Sequence, residues 1–453
     1  MSSVDTPRAM ARLGEFAASL RDGDIPVAVR QHAAVVLADT VGACMAGARA
    51  PELHALIANA PPGSALMLGT GARTIPGHAA LFNGAAGTWV ELDEGHYGSG
   101  GHPAIHVTPA ALAVAEQRAA SGAALITALV LGYEVAARIG AASRLRPEVH
   151  PHGTWGGCGG ALAAGKLLGF DEEQSTRVLA ISASTALATS RQAPLEGGTI
   201  RNLYAGIAGA NALLCCTLTE AGVTGGSHDL ETIFGRVLGE RFDEGKLVEG
   251  LGSHWMVTEN FMKRHACCRD TQGALEALNV ALAPSTWHPK LFRRVREIRL
   301  YVPPAARAMD NVEPVNTIAA KFSIPFVVAT WLYHGHADIE AFEAQAVANA
   351  DIRSLARRVS LVVLSSGDPA DALRTRIEMT LDNGEILRGE AARYMGDFDR
   401  PFAPDVLPTK FARLTASYWK QEEARQTFEA ITRCDEIADI RELTGSRLQV
   451  QCS

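Results

Sequence analysis

Four segments of this chain gather the residue types that move protons and hold anions. The densest is Glu91-Leu92-Asp93-Glu94-Gly95-His96-Tyr97-Gly98-Ser99-Gly100-Gly101-His102-Pro103, with three carboxylates and two histidines among four glycines. Loops of this kind carry functional groups on a rigid scaffold. The second is His150-Pro151-His152-Gly153-Thr154-Trp155-Gly156-Gly157. It sets imidazoles at the mouth of a small-residue helix, where unpaired N–H groups and the helix dipole favour an anion. The third, Gly197-Gly198-Thr199-Ile200-Arg201-Asn202-Leu203-Tyr204, offers Arg201 for bidentate grip of a carboxylate. Tyr204 follows three residues later and would share its face. The fourth, Lys263-Arg264-His265-Ala266-Cys267-Cys268-Arg269, places three cations and a histidine in seven residues.

Together these groups suit removal of a proton next to a carboxylate. Such a proton is very weakly acidic, so fixed positive charge must meet the developing enediolate. Zinc at His150 and His152 would need a third ligand from His96, His102 or His106, and the expectation is no metal. No G-x-S-x-G, Walker A or H-E-x-x-H motif occurs. The Gly-rich segments also lack the preceding strand that a dinucleotide fold requires.

Helices must position these segments. Leu13, Phe16, Ala17 and Leu20 form the first apolar stripe, and Val27 to Ala46 is a second helix between Pro26 and Gly47. The spacing predicts further helices over 108–120, 123–139, 154–168, 172–188 and 201–221, and no strand before residue 265. Near residue 290 the texture changes. Glu297–Val302, Val359–Ser365 and Arg376–Leu381 alternate like strands, and Asp382-Asn383-Gly384 turns the chain into a return strand, Glu385–Gly389. Helices are expected around 316–334 and 338–349, then over 410–419 and 421–431. The fold class is therefore mainly α: a large helical domain (1–265, completed by about 400–453) with a smaller α+β lid domain (266–399).

With 453 residues, 47% apolar and 20% charged, the chain has material for a sizeable core. Its net charge of −7 argues against nucleic acid as a partner. No leader of the secretory kind and no uncharged apolar run of membrane-spanning length is apparent, so a cytoplasmic protein without a membrane partner is expected. The eight cysteines contain no C-x-x-C and read as reduced thiols.

Over essentially its whole length the sequence resembles the MmgE/PrpD family. The likeness rests on ADTVGACMAGA (38–48), the acidic segment ending in His102-Pro103, HPHGTWGGCGGALAAGKLLGFD (150–171), the Arg201 segment and KRHACCR (263–269). It implies a helical domain plus a lid, a homodimer, no cofactor, and an active site between the two domains. His102, His150 and Lys263 match the family's functional histidines and a lysine. Glu91 falls where an Asp of a D-x-D-D-T pattern is expected, and Gly95 stands in place of its Thr. Arg201 replaces a Lys, Tyr204 a His, and Phe326 a Tyr.

The resulting expectation is a cofactor-independent lyase that dehydrates or decarboxylates a small di- or tricarboxylate. Its catalytic residues are His102, His150, Lys263, Glu91 and Tyr204; Arg201, Asp93, His96 and Arg269 bind substrate. His102 removes or returns the proton, His150 is the partner acid or a carboxylate contact, and Lys263 and Arg201 neutralise substrate charge. The nearest alternative is an epimerase of a small dicarboxylate such as iminodisuccinate. An alternative of another class is a carboxylate-binding dimer without turnover.

Overall fold

The computed structural model describes residues 6–282, 287–364 and 373–450. Cys452 and the expected strand end at Ser365 lie outside them.

Long helices form where apolar residues recur at helical spacing between capping residues. Val27–Gly47 starts after Pro26. Gly122–Ala142 is capped by Ser121, whose hydroxyl accepts from the Ala124 N–H at 3.2 Å. Glu172–Ser184 carries a capping box of Asp171 and Gln174. Gly156–Leu168 stops at Gly169, whose φ of 84° is left-handed. By length and composition Gly122–Ala142 would pass as a membrane span, yet 89% of its apolar window is buried inside the protein. It packs on Gly156–Leu168 at a Gly132–Gly159 contact, where a Cβ on Gly159 would lie 2.2 Å from the Gly132 carbonyl oxygen. Gly84 and Gly206 let Pro76–Trp89 and Tyr204–Glu220 approach in the same way.

Two large apolar cores result. The first joins residues from Ala9 to Met262 with Phe411, Phe428, Ile431 and Leu443, so the C-terminal helices Val406–Leu414 and Gln421–Thr432 pack back on the N-terminal half. The second runs mainly from Ala266 to Ala391 and takes in Val90, Leu92 and Leu414. It lies under a four-stranded sheet of order β10-β9-β7-β8. Here β7 is Val295–Val302, β8 Val359–Val363, β9 Thr375–Leu381 and β10 Ile386–Ala391. β7 pairs parallel with β8 and antiparallel with β9. Ile298, Leu300 and Val302 face inward and Arg299 outward with the two-residue period of a strand, and a register shift between Val295 and Glu297 lets Val295 face inward as well.

The expectation of no strand before residue 265 is corrected. Six short strands lie there, in three antiparallel pairs: β1 (Pro62–Leu66) with β2 (Arg73–Thr74), β3 (Gly95–His96) with β6 (Asn260–Phe261), and β4 (Ser143–Leu145) with β5 (Gly239–Phe242). At two to five residues they are too short to show an alternating pattern. Helix limits also move. Pro103–Arg118 begins five residues before the expected Thr108 and accommodates Pro109 inside it. The segment expected to open a helix at Arg201 is a 3₁₀ turn, Thr199–Leu203, before Tyr204–Glu220. Two of the longer helices, Pro76–Trp89 and Arg269–Ala281, and several short ones such as His54–Ala58 and Ala350–Ala356 lie outside the ranges predicted from the spacing.

Candidate active site

The acidic segment leaves the end of Pro76–Trp89 and reverses at Glu91, whose φ of +56° is left-handed. A non-glycine residue there costs about 1–2 kcal/mol and persists when its surroundings hold it. Four buried cations from four parts of the chain do so. Arg201 donates to the Thr88 carbonyl and is ion-paired with Glu91. Lys321 donates to the Trp89 carbonyl at 2.9 Å. Lys410 donates to the Leu92 carbonyl at 3.0 Å and pairs with Asp39 at 2.7 Å. Lys263 lies 3.4 Å from Glu91 and 3.0 Å from Asp93.

Beyond Asp93 the loop closes on itself. His96 and Gly101 form a β-bridge, Pro103 opens the next helix, and Glu94 Oε1 caps it by accepting from the Ala104 N–H at 2.8 Å. This folds His102 back over Asp93. Its Nδ1 is 2.6 Å from the Glu94 carbonyl and 3.0 Å from Asp93 Oδ2. Both partners are acceptors, so Nδ1 carries the hydrogen and Nε2 keeps its lone pair. No hydrogen-bond partner for Nε2 is found among the described residues, and the side chain stays 11% exposed. His152 donates through Nε2 to the same Asp93 oxygen at 3.3 Å, and its ring lies 4.7 Å from that of His102. Oδ2 thus accepts from two imidazoles while Oδ1 faces Lys263.

Burial alone would raise the Asp93 carboxyl, but Lys263 and His102 outweigh it and hold it well below the usual range. Burial likewise works to lower Lys263, and Asp93 with Glu91 reverses that into a net rise. Burial pushes Glu94 up to about 8, so it is mainly protonated at neutral pH. Burial, then neighbouring positive groups with Arg201 prominent, keeps His150 and His152 well below the ordinary histidine value. Arg201, Lys263, Lys321 and Lys410 therefore face Glu91, Asp93 and Asp39 with a surplus of positive charge. Such a surplus favours an anionic ligand.

Six expected site residues are brought together: Glu91, Asp93, His102, His150, Arg201 and Lys263. His150 lies between two donors: the His152 N–H is 3.1 Å from its Nδ1, and Arg201 Nε donates to its Nε2 at 3.5 Å. Arg201 is 1% exposed and stacks over Phe322 at 5.2 Å. Tyr204 packs its ring 6.0 Å from His150 and accepts the Ser190 N–H at its hydroxyl.

Three expectations come out differently. His96 is outside the cluster: its Nδ1 accepts the Ser99 N–H in its own turn, and burial lowers it to about 4. Arg269 is bound to Asp270 and lies over Tyr97 and Phe261, one ring away from His102. Phe326 is buried beside Phe342 in the second core. Gly95 has a local reason, since a Cβ there would meet the Phe261 ring at 2.3 Å. His152, Glu94, Lys321 and Lys410 had been given no role. Glu94 and His152 belong to the segments 91–103 and 150–157. The two lysines reach the loop from 232 and 318 residues away, with no local signal.

Asp93, His102 and His152 offer ligand atoms within 4.8 Å of one another, a spacing some metal sites use. Their donors are committed otherwise. His102 Nδ1 bears a hydrogen held by the Glu94 carbonyl, and the Lys263 ammonium already serves Asp93 as its cation. The set fits a hydrogen-bonded proton-transfer network rather than coordination.

Comparison with known proteins covers nearly all of this architecture. The MmgE/PrpD N-terminal domain model matches residues 11–238, and the C-terminal domain model matches 265–436. A cis-aconitate decarboxylase of Aspergillus terreus is 26% identical over 466 residues, spanning 94% of this chain and 93% of that protein. Cis-aconitate decarboxylase of Homo sapiens is 23% identical, spanning 94% and 91%. With both of the family's domains matched in order along it, the chain belongs to the MmgE/PrpD family.

Proposed function

We propose that the protein is a cofactor-independent lyase acting on a small di- or tricarboxylate, in which an imidazole removes a proton alpha to a carboxylate as water is lost, or returns one to the carbon that carbon dioxide leaves. The observation that carries this reading is the pairing of His102 with Asp93. With the hydrogen fixed on Nδ1 by two acceptors, Nε2 is the atom left to take a proton. Asp93 beside it stabilises the imidazolium that results, the role a carboxylate plays in other acid–base pairs. Positive charge for the developing enediolate comes from Arg201, hydrogen-bonded to His150, with Lys263 behind Glu91 and Asp93. Lys263 and Arg201 act through the carboxylates they hold as well as on the ligand. Decarboxylase relatives in the same family support the lyase reading over the epimerase reading.

The test is a panel of small polycarboxylates followed by proton NMR in deuterated water. Loss of water or carbon dioxide from one member is the expected result. Deuterium uptake with inversion and no net loss would make the enzyme an epimerase. Absence of both across the panel, with binding retained, would leave a carboxylate-binding protein without turnover.

A further inference from the structure

Of the four buried cations that hold the loop from Thr88 to Asp93, three are matched by a carboxylate. Arg201 has Glu91, Lys263 has Glu91 and Asp93, and Lys410 has Asp39. Lys321 has no ion-pair partner among the described residues. It is 3% exposed, and its ammonium donates to the Trp89 carbonyl at 2.9 Å. Two of its three hydrogens are left over. Burial presses Lys321 down to about 8, so the ammonium form still dominates at neutral pH. A buried charge without a counter-charge is costly unless something supplies one.

A cavity of about 680 Å³ gives an anion room beside it, with Lys321, Asn202, Trp89 and Val90 in its wall. That volume is in the usual range for small-molecule sites. None of Glu91, Asp93, His102, His150, Arg201 and Lys263 lines the cavity, so it is separate from the candidate active site. Arg49, Glu52, Glu343 and Ser417 line it and are exposed, so its mouth is open to solvent. Asn202 is 4% exposed, and its side-chain amide has no hydrogen-bond partner among the described residues. Its backbone carbonyl is held by the Thr88 hydroxyl, which fixes the residue in place. Buried amides are normally paired, so Lys321 and Asn202 are two unspent polar groups in one wall.

We infer that this cavity is a further anion site, which takes a small monocarboxylate with an aliphatic body, its carboxylate paired with Lys321 and accepting from the Asn202 amide. Lys321 supplies one unmatched positive charge, enough for one carboxylate. Around the exposed rim Glu52, Glu340 and Glu343 outnumber Arg49 and Arg413, and Arg413 is already paired with Asp338 at 2.7 Å. A second carboxylate would therefore meet negative charge. Val90, Ile318 and Leu414 are buried wall residues that offer the aliphatic body apolar contact. The inference is independent of the polycarboxylate reading, whose ligand is met by other residues.

Butyrate tests this against butyramide, which has the same body without the charge, and succinate, which adds a second carboxylate. Each is titrated calorimetrically into the full chain as wild type, Lys321→Met, Ala344→Trp and His102→Gln. Wild type should bind one butyrate per chain, at least tenfold more tightly than butyramide, and a tenfold excess of succinate should not displace it. Lys321→Met should weaken butyrate at least tenfold. Lys321 also holds the Trp89 carbonyl, so Ala344→Trp carries the test if that variant does not fold. Ala344 is an exposed residue of the cavity wall, and an indole there should block butyrate with Lys321 left in place. His102→Gln, in the separate cluster, should bind butyrate as wild type does. Absence of butyrate binding to wild type overturns the inference, as do equal affinity for butyramide and displacement by succinate. Butyrate binding that survives in folded Lys321→Met, or in Ala344→Trp, overturns it too. Loss of binding in His102→Gln would put butyrate in the catalytic cluster and overturn it likewise.

Discussion

Exchanging Asp93 for Asn isolates what its charge contributes to the base. Asp93 Oδ2 lies 3.0 Å from His102 Nδ1, and Oδ1 lies 3.0 Å from Lys263. The Glu94 carbonyl, 2.6 Å from the same Nδ1, still holds the hydrogen there after the change, so the tautomer survives. Lys263 keeps Glu91 at 3.4 Å, so the ammonium is not stranded. What disappears is an anion beside the imidazolium formed when Nε2 takes its proton. With charge centres about 4 Å apart and an effective dielectric of about 20, the attraction is worth about 4 kcal/mol. That corresponds to about a thousandfold in kcat. The assay follows turnover of the polycarboxylate found in the NMR panel, together with its exchange of deuterium from solvent. Both should fall together by about a thousandfold, with circular dichroism unchanged and substrate affinity within tenfold. Exchange in Asp93→Asn within tenfold of wild type would refute the pairing as the source of base strength.

Further outcomes follow from the same geometry. His102→Gln keeps size and hydrogen bonding but loses the accepting nitrogen, so kcat and deuterium exchange should drop by about a hundredfold or more at similar affinity for substrate analogues. Gly206→Ala would bring a Cβ within 2.1 Å of the Leu81 carbonyl oxygen, and thermal denaturation should show a loss of about 1–3 kcal/mol. Burial lowers His96 and His106 to about 4 and His265 to about 3, with His150 and His152 well below the ordinary value. The unfolded chain therefore binds these protons first, near pH 6.5, and stability is lost as pH falls from there through about 4. Urea midpoints should decline steeply between pH 6.5 and 5, and a flat profile would contradict the burial. Sedimentation should give a homodimer at micromolar concentration, as expected of an interface burying more than about 2,000 Å².

The helical body was legible because apolar residues recur at 3.6 spacing between Pro, Ser, Asp and Gly, as at Val27–Gly47 and Glu172–Ser184. The sheet of the second core was legible because its strands run five to eight residues, long enough to alternate. β3 and β6 were not, since two residues carry no period. Pro109 misdirected the start of its helix: a proline inside a helical pattern reads as a boundary, and here it is absorbed in the interior. In the site, the loop from Glu91 to His102 announced itself by its density of ionisable groups. His152 did not, because one of two histidines flanking a proline looks like the other until Asp93 is placed beside it. Lys321 and Lys410 are ordinary helix lysines in sequence, and their importance lies in backbone carbonyls far away along the chain.

The convergence of distant cations on residues 88–93 also fixes when the site can exist during synthesis. A nascent chain released as far as residue 300 has both carboxylates, every histidine of the cluster, Arg201 and Lys263. It lacks the ammonium groups that hold the Trp89 and Leu92 carbonyls and the partner of Asp39. Until Val406–Leu414 emerges and docks, Asp39 would be buried uncompensated, so this face of the N-terminal half must stay open to water. The reactive imidazole is thus set in place among the last events of folding. A partly made or C-terminally clipped chain holds all the acid–base groups of the cluster without an assembled proton-transfer site.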